Sequence, residues 1–194
     1  MHLKNPIARE MALLANQILQ GTELIPPVQN DFAKLENLSE HVTNCIKNDN
    51  LTECKNSILH FAQWIAKLQQ TADEKIGQWI TFPHFSLSDF VRTDSGAIYK
   101  ADWTHWIFGD KEDLFAALLA QIDRLTFEQS PKREMSDAVL SLLHTVDGID
   151  FKKLRQKTAQ FSTQKEQLVE RISRSTAVIL AGGHASRMHY YPKY

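Results

Sequence analysis

Between Asn50 and Pro83 the chain carries one long apolar stripe. Cys54, Ile58, Phe61, Ile65, Leu68, Ile76 and Trp79 recur at helical spacing, and only a helix puts such positions on one face. Asn50 and Glu53 stand in the N-cap and N3 relation of a capping box. The pattern predicts a core helix of about 30 residues, longer than the usual globular helix, ending at Pro83. A helix of that length needs partners along its apolar face, so the rest of the chain is expected to be its packing.

Shorter stripes supply those partners. Asn5-Pro6 is a helix start, and Ile7, Met11, Leu14 and Ile18 follow as an inward face that Gly21 terminates. A second helix is expected over 31–47, with Phe32, Leu35, Val42 and Ile46 inward. Another runs from Asp110, with Leu114, Phe115, Leu118, Leu119, Ile122 and Leu125 inward. Ser130-Pro131 opens the next, which carries Met135, Val139, Leu142, Leu143 and Val146 and ends at Gly148. A last long helix begins near Asp150 with Phe151, Leu154, Phe161, Leu168 and Ile172 on its seam. The segment 84–108 breaks the helical period. There Tyr99, Ala101, Trp103, His105 and Ile107 alternate with other residues after an Asp94-Ser95-Gly96 turn, which predicts a β-hairpin or an aromatic loop. The fold class is therefore mainly α: a helical bundle of about six helices, that hairpin or loop, and a basic C-terminal helix plus tail. Only 7 glycines and 6 prolines are present, too few turn residues for an all-β sandwich.

The near-neutral net charge of −1 conceals an asymmetry. Residues 1–150 hold 13 Lys+Arg against 21 Asp+Glu, a balance of −8; residues 151–194 hold 9 against 2, a balance of +7. This divides the chain into an acidic helical domain, 1–148, and a basic helix and tail, 149–194, packed on it or extending from it. Lys152, Lys153, Arg155, Lys157, Arg171, Arg174, Arg187 and Lys193 are the candidate anion- or nucleic-acid-binding residues, because cations bind phosphates without sequence preference. Tyr190 and Tyr191 are candidates to stack on unpaired bases. The competing expectation docks the same helix on the acidic body of its own chain, or of a second copy in a homodimer.

The aromatic band from Phe61 to Phe108 contains all 4 tryptophans. It predicts a packed core, with a peptide or apolar-ligand groove lined by Phe82, Phe85, Trp103 and Trp106 as its functional form. No metal ligand set and no cofactor site are expected. His41 and Cys45 share a helical face, but His60 lies about 120° around its helix from Cys54, so these four do not converge as zinc ligands. No catalytic residues are assigned, since no carboxylate pair or nucleophile motif has the required spacing.

Two short stretches have family echoes. Leu180-Ala181-Gly182-Gly183, Arg187-Met188 and Pro192-Lys193 resemble the N-terminal signature of nucleotidyltransferases, which include sugar-nucleotide pyrophosphorylases and molybdenum-cofactor guanylyltransferases. The resemblance implies that Gly182, Gly183, Arg187 and Lys193 meet nucleotide phosphates. It spans about 16 residues, with none of the later strands or metal-binding carboxylates that would preorganise such a loop. Ser95-Gly96-Ala97-Ile98-Tyr99 and Phe108 to Phe115 resemble the recognition-helix end and following helix of TetR-type regulators. Here Lys100 to Ile107 separates the two halves, and the region is acidic where a recognition helix needs positive charge.

No apolar run approaches the roughly 18 residues needed to cross a bilayer, the N-terminus lacks a signal-peptide pattern, and 2 cysteines make no disulfide framework. The expectation is a non-enzymatic cytoplasmic helical adaptor or regulatory protein that binds a macromolecule, most simply another protein. Nucleic-acid binding through 152–193 is the alternative, and a nucleotidyltransferase-like enzyme or metal-dependent sensor comes third.

Overall fold

The computed structural model describes residues 6–25, 35–126 and 128–163. Its elements are α1 (Pro6–Leu19), β1 (Glu36–Asn37), α2 (Leu38–Lys47), α3 (Leu51–Ile76), β2 (Trp79–Thr81), β3 (Phe90–Arg92), β4 (Ile98–Lys100), β5 (Ile107–Gly109), α4 (Asp113–Asp123) and α5 (Gln129–Leu143). A final helix, α6, covers 151–163. The chain is thus mainly helical, with two small antiparallel sheets, β1-β3-β4 and β2-β5, among the described residues. No described helix is long and apolar enough to cross a membrane.

Helix α3 is the axis. The Asn50 side chain accepts from the backbone N–H of Glu53, one half of the expected capping box; the other half is absent, since the Asn50 N–H bonds to the Cys45 carbonyl and Glu53 turns to Arg92. Cys54, Ile58, Phe61, Ile65 and Leu68 are all buried along its length, and α1, α2, α4 and α5 pack around them. The helix stops at Gly77, not at Pro83. Gly77 adopts a left-handed conformation, φ 65°, and its N–H bonds to the carbonyl of Asp73, the cap only glycine accepts without strain. Trp79 therefore belongs to β2.

Helix α1 differs by one position from its expected face. Ala8, Ala15, Ile18 and Leu19 are buried, while Ile7 and Leu14 are exposed. One residue rotates a helix face by 100°; small alanines let α1 approach α3 closely and turn the larger side chains outward. Helix α2 begins at Leu38, because Asn37 caps it by accepting from the N–H groups of Ser39 and Glu40. In α5, Ser130 and Pro131 fall within the first turn, where the missing proline N–H removes no helical bond.

The 84–108 segment realises both expectations in sequence. β3 and β4 form a hairpin with Phe90 opposite Lys100 and Arg92 opposite Ile98, turned by Gly96 at φ 84°. β1 joins the free edge of β3. Residues 101–106 then follow without strand pairing, and β5 pairs with β2, Ile80 opposite Phe108. The alternation from Tyr99 to Ile107 thus spans two separate strands.

Candidate functional site

The basic helix α6 is docked on the acidic body at its start. The Asp150 carboxylate caps it, accepting from the N–H groups of Lys152 and Lys153 at 2.9 and 3.1 Å. Leu154 is buried, and Phe151 and Phe161 are half-buried against the core. Lys153 pairs with Asp110 at 2.8 Å; Lys157 pairs with Asp110 at 2.6 Å and also with Asp113. The carboxylates are themselves held: Asp113 accepts from the Asp110 N–H at 2.8 Å, and buried Glu112 accepts from the Asp150 N–H at 3.0 Å. Hydrogen bonds from Lys153 and Lys157 keep the Asp110 carboxyl below its ordinary pKa. The bond to Asp110 raises Lys153. Burial pulls Lys157 down, but its hydrogen bonds to Asp110 and Asp113 and their charges outweigh that and raise it.

This network separates the predicted cations. Lys153 and Lys157 face the body of the same chain, whereas Lys152 and Arg155 are exposed. Arg171, Arg174, Arg187, Lys193, Tyr190 and Tyr191 lie outside the described residues, as do Gly182 and Gly183.

The predicted groove residues are interior. Phe82, Trp103 and Trp106 are buried and Phe85 is half-buried. Phe82 meets Trp103 edge-on at 5.9 Å, and Phe85 stacks on Phe61 at 5.8 Å. Trp106 stands apart from them against Phe108, at 5.3 Å, and donates its indole N–H to the carbonyl of Met11 at 3.0 Å. Lys100 lies 4.5 Å from the Phe82 ring centre and 5.1 Å from that of Phe90. Burial pulls its pKa down, partly offset by Asp89 and Asp102.

A polar cluster missed by periodicity joins β1, α2, α3 and β3. His41 Nδ1 lies 2.7 Å from Glu36 Oε2, and Nε2 lies 2.9 Å from Ser57 Oγ. Glu53, 3.5 Å from the same Nε2, receives Arg92 at 2.6 Å. The order carboxylate, imidazole, hydroxyl is that of an acyl-transfer relay. Ser57, however, is 1% exposed, so a substrate has no approach to its oxygen, and the cluster serves to tie four elements through the hydrogen bonds of the buried His41 and Ser57 and the Arg92–Glu53 pair. Cys45 lies 3.5 Å from His41 Nε2, while Cys54 turns to Met135 Sδ at 3.8 Å. Burial raises both thiols, Cys54 to about 12, which keeps them protonated and poor nucleophiles. Among the described residues no group of three or more His, Cys, Asp or Glu is placed to hold a metal ion.

The remaining feature is an apolar surface. Ile107 and Phe108 are each 49% exposed on β5, and Leu14 is 40% exposed on α1. The Trp106–Met11 bond and the Trp106–Phe108 contact bring these two elements together. Phe108 lies on the Trp106 side of β5, and Ile107, next along the strand, points to the opposite side, so both sides of this two-stranded ribbon carry an exposed apolar residue near its tie to α1. Beyond β2, no strand borders β5 among the described residues. The sequence signals were present but misleading: the α1 stripe looked like core, and Ile107 looked like half of a hairpin. Compared with protein-family models, curated proteins and solved structures, the chain shows no match.

Proposed function

We propose that the chain is a non-enzymatic helical adaptor or regulatory protein that acts by binding another protein through the α1–β5 face. The observation that carries this reading is the half-exposed Phe108 on β5, packed on the Trp106 whose indole ties the strand to α1, with Ile107 half-exposed on the strand's other side. Large apolar side chains exposed at one element mark interaction sites, and Phe is among the side chains that dominate interface energetics. The open edge of β5 adds backbone donors and acceptors for a partner segment. Two buried, protonated thiols are compatible with the reducing cytoplasm, which we propose as its location.

Nucleic-acid binding through α6 and the tail is the second reading, favoured by the exposure of Lys152 and Arg155. Lys153 and Lys157 weaken it, since both are engaged by carboxylates of their own chain. Any such affinity is expected to be non-specific and to fall steeply between low and physiological salt in a gel-shift series. The direct test is affinity purification from the native cell at moderate salt, with nuclease treatment in parallel, comparing the wild type with Phe108→Asp. The proposal expects partners that survive nuclease and drop at least about tenfold with Phe108→Asp. Partners that vanish with nuclease and ignore the substitution overturn it.

A further inference from the structure

We propose that a cleft between α4, α5 and α6 binds a small amphipathic organic acid, with an apolar body and one anionic end. The cleft has a volume of about 680 Å³, inside the range of small-molecule sites. The cleft opens to solvent past exposed Asp123, His144, Arg155 and Ala159, and the apolar body of a ligand would remove its apolar wall from water. Leu119 of α4, Leu140 of α5 and Leu154 of α6 form its apolar wall. Phe151 continues that wall, stacked on the ring of His144 at 4.4 Å, which gives the cleft a flat aromatic side.

The charge of the lining selects the acid. Arg155 borders the cleft and makes no ion pair among the described residues. The neighbouring cations are engaged elsewhere: Lys153 and Lys157 on Asp110, Arg124 on the carbonyls of Phe161 and Ser162, Lys132 on the carbonyl of Asp123. A guanidinium offers a planar fork of donors that fits a carboxylate in two-point contact. Asp123 also lines the cleft and repels a second anionic group, so the ligand carries a single acid, held at Arg155. The site shares no residue with the α1–β5 face, so its test stands or falls independently of the partner-binding proposal.

Decanoate and decanol serve as probes in calorimetric titration of the full chain. The expected result is saturable decanoate binding, with decanol about tenfold weaker. Arg155→Gln is expected to bring decanoate down to the decanol level and to leave decanol unchanged. Lys152→Gln, an exposed cation on the same helix outside the cleft, is expected to change neither. Ala159→Phe fills the cleft from an exposed position, where the fold tolerates bulk, and is expected to weaken both probes at least about tenfold with unchanged melting. No saturable decanoate binding in the wild type overturns the proposal. So does equal weakening by Arg155→Gln and Lys152→Gln, or undiminished binding by a folded Ala159→Phe.

Discussion

Gln69 shows how much a single polar residue on an apolar stripe does in this fold. Its buried side-chain amide donates to the carbonyl of Ile80 at 2.8 Å and accepts from the N–H of Ile80 at 3.1 Å. It therefore acts as a surrogate strand, satisfying a backbone unit of β2 from within α3. Replacing it with Leu keeps the volume but orphans a buried N–H and a buried C=O. Each costs about 1–3 kcal/mol, so Gln69→Leu is expected to lower unfolding free energy by about 2–6 kcal/mol, read from urea denaturation. A loss below about 0.5 kcal/mol, the range of ordinary surface substitutions, would contradict that role. Gly109 is a second such position: a Cβ there collides with the Asp113 carboxylate and the Thr81 methyl. Gly109→Ala is expected to destabilise by about 1–3 kcal/mol, the usual cost of overpacking, in the same assay. Neither residue was visible in the sequence. Periodicity weighs apolar positions, and it passes over Gln69, Ser57 and His41, whose value lies in partners distant along the chain.

Among the elements, the long stripe of α3 was the most legible, because Cys54 to Leu68 repeats one period with nothing to compete. Its end was not, since a proline is a more conspicuous stop than the Gly77 that takes the left-handed cap. The face of α1 was misjudged because burial there is decided by how closely Ala8 and Ala15 let the helix approach, a tertiary matter. The docking of α6 was half legible: opposite charges in 1–150 and 151–194 predicted attraction, but only the fold selects Asp110, Glu112 and Asp113 as the receiving group. That docking carries a pH signature. Asp110, lowered by Lys153 and Lys157, contributes stability that is present above the ordinary Asp pKa near 4 and is lost as pH falls through its lower folded value. Lys153 and Lys157, both raised, contribute stability that is present below the ordinary Lys pKa near 10.4 and is lost as pH rises through their folded values. Urea midpoints are expected to be flat between these limits and to fall beyond each. Asp110→Asn should lower the plateau and shrink both limbs; a variant profile parallel to the wild type would mean the network does not hold α6.

For the whole molecule, the physical picture is a helical body whose basic C-terminal helix begins by neutralising its own acidic corner, with Leu14 of α1 and Ile107 and Phe108 of β5 left exposed. The mainly helical class and the order of the helices were legible because hydrophobic spacing and turn residues act locally; β1 and β2 were not, since both fall where helices were expected. The candidate face was not, because Leu14, Ile107 and Phe108 are apolar residues that read as core until the fold leaves them outside. The central claim is that this face, and not the basic arm, meets the partner. Amide hydrogen exchange on the complex recovered from the native cell tests it most directly, since exchange reports which backbone segments become protected. The account predicts new protection over residues 7–18 of α1 and 106–109 at β5. Protection confined to 152–193, with α1 and β5 exchanging as in the free chain, would contradict it.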